Sequence, residues 1–209
     1  MIRRLPLSAA LLCTALLPCT ACAQQDGWVS LFDGKTLDGW EINDLSKSTK
    51  WEVIDGELRG SGGASMIAST KGPYKNFKFR AEIKINDKGN SGMYYRCKST
   101  KPGFTDGYET QINATHGDPI RTGSLYTMVH LYDAAHKPDE WFTQEVECKT
   151  IDYRGKKVTS IKTSVNGKVL FEALDYTNQF ESGYFAFQQH DPGSKVALRK
   201  IEVMDLGSK

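Results

Sequence analysis

Residues 77–85 read Phe77-Lys78-Phe79-Arg80-Ala81-Glu82-Ile83-Lys84-Ile85. Apolar and charged residues alternate without a break, so an extended chain would carry one oily face and one wet face. Wound at helical pitch, the same residues would put charge on every side. The stretch predicts a long strand of an antiparallel sheet that covers a core on one side only.

Period 2 persists on both sides of this stretch. Trp51-Glu52-Val53-Ile54, Asp55-Gly56 and Glu57-Leu58-Arg59 form a strand–turn–strand pattern, and residues 158–165, Asn166-Gly167 and 168–171 repeat it. Asp-Gly and Asn-Gly tolerate positive φ at both central positions, which a tight hairpin requires. Further strands are predicted at 65–69, 92–98, 107–113, 141–150, 183–190 and 196–205, with Gly60-Ser61-Gly62-Gly63 as a loop between strands. No segment carries a helical stripe, and no repeat, low-complexity tract or linker divides the chain. Roughly a dozen short antiparallel strands imply an all-β, two-sheet jelly-roll sandwich.

The chain has 209 residues, 39% hydrophobic and 25% charged, with a mean hydropathy of −0.46. That usage argues against wholesale disorder and against a polytopic membrane protein. Arg3 and Arg4 precede an apolar stretch over 5–17, and Ala21-Cys22-Ala23 follows as a small-x-small cleavage pattern. Residues 1–23 therefore read as a bacterial secretory signal, leaving 24–209 as one exported domain, periplasmic or secreted. The alternative is a lipoprotein anchored through Cys22, although Cys19 stands where a bulky aliphatic residue would be expected. Two of the 27 basic residues lie in the leader, so the remaining 25 balance the 25 acidic ones. A neutral chain has no global attraction to nucleic acid or anionic lipid. Outside the leader only Cys97 and Cys148 remain; a disulfide and two buried thiols are both open.

Two predicted strands are unusually polar. In Asn90-Ser91-Gly92-Met93-Tyr94-Tyr95-Arg96-Cys97, alternation puts Tyr94 and Arg96 on one face and Met93, Tyr95 and Cys97 on the other. In Gly107-Tyr108-Glu109-Thr110-Gln111-Ile112-Asn113, it groups Glu109, Gln111 and Asn113. A solvated outer sheet would look the same, but Gln and Asn are poor strand formers and gain no packing there. A concave sheet lined with Arg, Glu, Gln, Asn and Tyr instead suits sugar hydroxyls and sugar faces. There is no dinucleotide-binding fingerprint and no Gly-x-Ser-x-Gly elbow.

These stretches, with the opening Trp28-Val-Ser-Leu-Phe-Asp-Gly-Lys-Thr-Leu-Asp-Gly-Trp40, resemble the 3-keto-disaccharide hydrolase family, and the landmarks follow in order through 123–126, 140–141, 165–167 and 183–188. The resemblance implies a concanavalin A-like jelly roll, common in exported proteins of sugar-degrading bacteria. It also implies a carbohydrate substrate already oxidised at carbon 3 of a glucose unit, supplied by a separate sugar 3-dehydrogenase. The ketone acidifies the carbon 2 proton. Its removal expels the glycosidic oxygen from carbon 1, and water then adds back. Such a reaction needs a base, a donor for the enolate oxygen and an acid for the leaving group.

The roles expected on this basis are as follows. Glu109 is a base or metal ligand, Arg96 a charged donor to the keto oxygen, and His190 an acid or base at a strand end. Gln111 and Asn113 position hydroxyls. Tyr94, Tyr126, Trp141 and His130 contact substrate, with core packing as the plain alternative for Trp141. His116 and His136 read as loop residues. A divalent metal would use Glu109 with His130 or His190, but no local histidine spacing supports one. Two other classes stay open. One is a non-catalytic carbohydrate-binding module. The other is an ordinary glycosidase, which needs a second carboxylate from among Asp106, Asp118, Asp133 and Asp191.

Overall fold

A computed structural model describes residues 27–207. The leader and Cys22 lie outside the described residues. Among the described residues thirteen strands, numbered along the chain, make two antiparallel sheets. The larger runs β11 (Lys168–Asp175), β10 (Lys156–Val165), β9 (Phe142–Tyr153), β6 (Phe77–Ile85), β13 (Val196–Asp205), β4 (Glu57–Gly62), β3 (Thr49–Ile54), with β1 (Val29–Ser30) paired to β13. The smaller runs β2 (Trp40–Asp44), β5 (Ser65–Ser69), β12 (Tyr184–Gln189), β7 (Ser91–Cys97), β8 (Tyr108–Ile112). No helix is present among the described residues, so none is long and apolar enough to cross a membrane.

The alternation at 77–85 is realised as expected. Phe77, Phe79, Ala81, Ile83 and Ile85 are fully buried between the sheets. They meet Phe185, Phe187, Met93, Tyr95 and Ile67 of the smaller sheet. Phe79 stacks on Phe185 at 4.1 Å and Phe77 meets the same ring edge-on at 4.8 Å. Each such ring contributes about 1.5–3 kcal/mol by leaving water. Both hairpin turns have the predicted backbone: φ is positive at Asp55 and Gly56, and at Asn166 and Gly167.

The structure departs from the sequence reading in three places. First, β1 and β2 are strands that the sequence reading did not include; pairing with β13 and β5 forms them. Second, Gly60 and Gly62 belong to β4 rather than a loop. Gly60 is needed there because a Cβ would come within 2.8 Å of the Trp51 ring. Third, the face parity of β7 breaks at Arg96. Tyr184 pairs with Cys97 and Ala186 with Tyr94, so β7 has one residue more than its partner, a β-bulge. Arg96 takes φ +52° at this bulge. Its side chain therefore turns inward beside Tyr95, and Cys97 turns outward to pack with Met66, Tyr94 and Ala186.

The inward guanidinium is fully buried and uses all five of its N–H groups. Nε and Nη2 donate to Lys75 O (3.0 and 2.6 Å), Nη1 to Phe180 O (2.8 Å) and Thr159 Oγ1 (2.9 Å), and Nη2 also to Thr150 Oγ1 (3.0 Å). It ties β7 across the interior to β9 and β10. Cys97 and Cys148 are both buried free thiols, in different clusters. Burial pushes the Cys148 thiol up to about 12, so it is inert at neutral pH.

Opposite the bulge the chain has no room for a side chain. A Cβ on Gly183 would lie 2.1 Å from Cys97 O and 2.4 Å from the Arg96 carbonyl carbon. Backbone atoms cannot swing away as a side chain can. Gly183→Ala should therefore lower stability by about 2 kcal/mol or more. Urea unfolding would show this as a lower midpoint with an unchanged slope, and an unchanged midpoint would refute the packing argument.

Candidate active site on the smaller sheet

A cleft of about 360 Å3 opens on the outer face of the smaller sheet, over β7, β8 and β12. Its floor includes Tyr94, Glu109, Gln111, Gln188 and Asn90, and His190 stands just beyond the end of β12. Its rim is more apolar, with Phe104, Tyr126, Met128 and Phe180.

The strap after β8 builds one wall. Gln111 N donates to Ser124 O (2.9 Å), Gly123 N to Gln111 O (3.0 Å) and Tyr126 N to Glu109 O (2.9 Å). This extends the sheet beyond its edge strand and brings Tyr126, Thr127 and Met128 to the cleft. Asn113 makes the strap possible. Its Nδ2 donates to Asp118 O and Ile120 O, and its Oδ1 accepts from His116 N.

Glu109 sits at the centre. Burial pushes its carboxyl up to about 7, against the lowering effect of a hydrogen bond from Tyr94; the charge of Asp118 adds to the rise. Burial and the Glu109 charge in turn push the Tyr94 phenol well above its usual range, so it remains a donor. Tyr94 also accepts from Gln188 Nε2 at 3.2 Å. The chain Gln188–Tyr94–Glu109 fixes the carboxyl over Gly92. That residue must be glycine, because a Cβ there would fall 2.4 Å from Glu109 Oε1 and 2.6 Å from the Tyr94 ring.

Polar atoms remain for a ligand. Asn90 and Gln188 line the cleft, and Asn90 Oδ1 and Gln188 Oε1 are buried acceptors without a hydrogen-bond partner in the protein. Gln111 Oε1 accepts from Ile112 N at 3.3 Å, which leaves its amide N–H groups as donors. His190 Nδ1 is 2.9 Å from Asp191 Oδ2. Its ring lies parallel to Phe104, with centroids 6.1 Å apart, and edge-on to His116 at 5.7 Å.

The sequence expectations divide accordingly. Tyr94, Glu109, Gln111, Tyr126 and His190 come together in the cleft. Arg96 does not; the bulge sends it into the interior. Asn113 is a buried loop anchor rather than a lining residue. Trp141 lies against Lys84 and Arg199, cations of β6 and β13 on the larger sheet (4.6 and 4.1 Å). His130 is exposed, packs edge-on to Tyr132 and does not line the cleft. A metal shared by Glu109 and His130 thus has no geometric support. Sequence reading missed Asn90, Gln188 and Phe104. The polar Gln188 after an apolar run, Phe185-Ala186-Phe187, was the available signal.

One ligand atom each from His116, His190 and Asp191 lies within 4.8 Å of the others. The hydrogen bonds disfavour a cation there. His116 Nδ1 accepts from Asp118 N at 3.0 Å, so its proton sits on Nε2, the atom 3.9 Å from Asp191. A protonated nitrogen has no lone pair to give.

The model of a family described as 3-keto-alpha-glucoside-1,2-lyase-like domain matches residues 27–204. A 3-keto-disaccharide hydrolase of Bacteroides thetaiotaomicron is 28% identical over 162 residues, which cover 64% of this chain and 55% of that protein. The chain thus spans about half the length of that curated relative. A candidate glycosyl hydrolase of Parabacteroides distasonis superposes with a TM-score of 0.68 at 26% identity, covering 87% of this chain and 94% of that one. A Bacillus subtilis protein of unknown function with a galectin-like fold superposes at 0.58 and 13% identity, covering 81% and 90%. The fold is that of the concanavalin A-like jelly rolls, as the resemblance implied.

Proposed function

The chain belongs to the 3-keto-alpha-glucoside-1,2-lyase-like domain family, and from that premise we propose that it cleaves 3-keto-glucosides by elimination and rehydration in the cleft over β7, β8 and β12. The observation that carries the reading is a buried carboxyl, raised by that burial to about 7, in the same cleft as a histidine whose Nδ1 is already bonded. Near neutral pH an ordinary carboxylic acid would hold no proton to give; Glu109 does.

His190 Nε2 takes the carbon 2 proton. The electron pair forms the carbon 1–carbon 2 double bond, and the glycosidic oxygen leaves carbon 1 with the proton of Glu109. Water then loses a proton to the Glu109 carboxylate as it adds to carbon 1, while His190 returns a proton to carbon 2. The sum is glycoside plus water giving 3-keto-glucose and the free alcohol. Gln111 takes the enolate-donor role expected of Arg96. The acceptors on Asn90 and Gln188 hold hydroxyls, and the apolar rim of Tyr126 and Met128 suits a sugar or aglycone leaving group. The chain carries no dinucleotide fingerprint, so a separate dehydrogenase would supply the ketone. Export by the 1–23 leader would place the cleavage outside the cytoplasm.

A second reading has one observation in its favour. Asp118 lines the same cleft and accepts from Tyr126 Oη at 3.3 Å, so two carboxylates are present, as an ordinary glycosidase requires. The purified protein should be assayed on a 3-keto-glucoside and on its unoxidised parent. Elimination predicts turnover of the keto compound alone. Turnover of the parent would establish the glycosidase instead, and binding without turnover of either would leave a carbohydrate-binding module.

A further inference from the structure

The turn after β12 holds a carboxylate that the reaction above leaves unused. Asp191 Oδ2 lies 2.9 Å from His190 Nδ1 and accepts from Ser194 Oγ at 2.9 Å, while Oδ1 accepts from Gly193 N (2.8 Å) and Ser194 N (3.1 Å). The turn itself is clamped. Gln189 Nε2 donates to Asp191 O and Ser194 O (both 2.8 Å), and Ser194 Oγ accepts from Asn90 N at 2.8 Å. Both partners of the pair are thus fixed by groups other than each other.

Resting on the proposed elimination, we infer that Asp191 is the positioning residue of the site: it fixes His190 in the Nδ1–H tautomer, so that Nε2 presents its lone pair to the cleft. An ionised carboxylate can only accept, so the atom facing it must carry the proton. Burial works against ionisation of Asp191, but the bonds from His190, Ser194 and Gly193 outweigh it and hold its pKa below the usual value. Turning the imidazole by 180° about its Cβ–Cγ bond would put a carbon where Nδ1 stands and lose that bond. The same logic explains why His190 and His116 behave differently. His116 Nδ1 faces a donor, Asp118 N, and so takes the opposite tautomer.

Asp191→Asn separates this role from a merely structural one. The Asn Oδ1 still accepts from Gly193 and Ser194, so the turn persists. Its amide nitrogen faces His190 Nδ1 as a donor and favours the Nε2–H tautomer. Imidazole 15N shifts should report Nδ1–H for His190 in the native protein and Nε2–H in the variant. On a 3-keto-glucoside, kcat should fall about 10²–10⁴-fold with KM within about threefold. Ser194→Ala removes a bond to the same carboxylate oxygen but spares the His190 pair, so it should retain the native tautomer. An Nε2–H signal in the native protein, a native tautomer in Asp191→Asn, or unchanged kcat despite a flipped tautomer would each overturn the inference. Should the native protein fail to turn over any keto-glucoside, the elimination reading falls, while the 15N shifts still decide whether Asp191 sets the tautomer.

Discussion

Glu109→Gln leaves the protein folded and lowers kcat/KM on a 3-keto-glucoside by about 10³-fold or more. Glutamine preserves the volume over Gly92 and can still accept from Tyr94, so the cleft keeps its shape. It has no proton to lose, so the leaving oxygen must depart as an alkoxide. The pH dependence makes the test sharper. An acid of pKa about 7 requires that the native kcat/KM fall as pH rises through that value. Stability runs in the same direction. A carboxyl held near 7 instead of 4.5 folds more favourably protonated than charged. That advantage is complete below the unfolded value and is lost as pH rises through 7, about 3 kcal/mol in all. Glutamine never ionises. The variant should therefore match the native protein near pH 4 and exceed it in thermal stability above pH 7. A constant stability difference across that range would show that Glu109 is not held protonated, and would remove the acid from the mechanism.

The framework of this protein was legible because its determinants are local. Nine alternating residues at 77–85 specify a half-buried strand whatever surrounds them, and Asp55-Gly56 and Asn166-Gly167 accept the φ angles a tight hairpin imposes. Half of the site was legible for the same reason. Glu109 and Gln111 share a face by parity alone, and β8 pairs regularly with β7 across Ser91–Tyr95. What failed was non-local. One inserted residue at Arg96 inverts every face assignment beyond it, and nothing in Tyr94-Tyr95-Arg96-Cys97 announces the insertion. It is set by the partner strand, where Gly183 leaves room for the displaced backbone. Trp141 failed for a related reason. An aromatic at a strand start looks the same whether it faces sugar or stacks under cations, and the neighbours that decide, Lys84 and Arg199, come from β6 and β13. The strap from Asn113 to Met128 has no periodicity to read. Its path depends on bonds to Asn113 and to the open edge of β8.

Arg96 provides the second large effect, and it points away from the cleft. Arg96→Met should destabilise the fold by about 3–5 kcal/mol, since it strips the donors from Lys75 O and Phe180 O in the interior. Thr159 can keep its bond to Asn178 Oδ1, but the two carbonyls have no substitute. Lysine should recover only part of the loss, because one ammonium cannot span four acceptors that a planar fork reaches together. Glycine makes the origin of the effect explicit. It relieves the φ of +52°, worth about 1 kcal/mol, yet it should be less stable than the native protein because the guanidinium is gone. If Arg96 instead served the substrate, the pattern would reverse, with kcat on a keto-glucoside collapsing in Arg96→Met while the urea midpoint held. Measured per folded molecule, kcat should stay within about threefold of native, because the nearest cleft residue on its strand, Tyr94, is held by Gln188 and Glu109 rather than by Arg96. Stability lost with chemistry retained would mark Arg96 as the tie that holds the bulge, and through it the floor of the cleft, against the larger sheet.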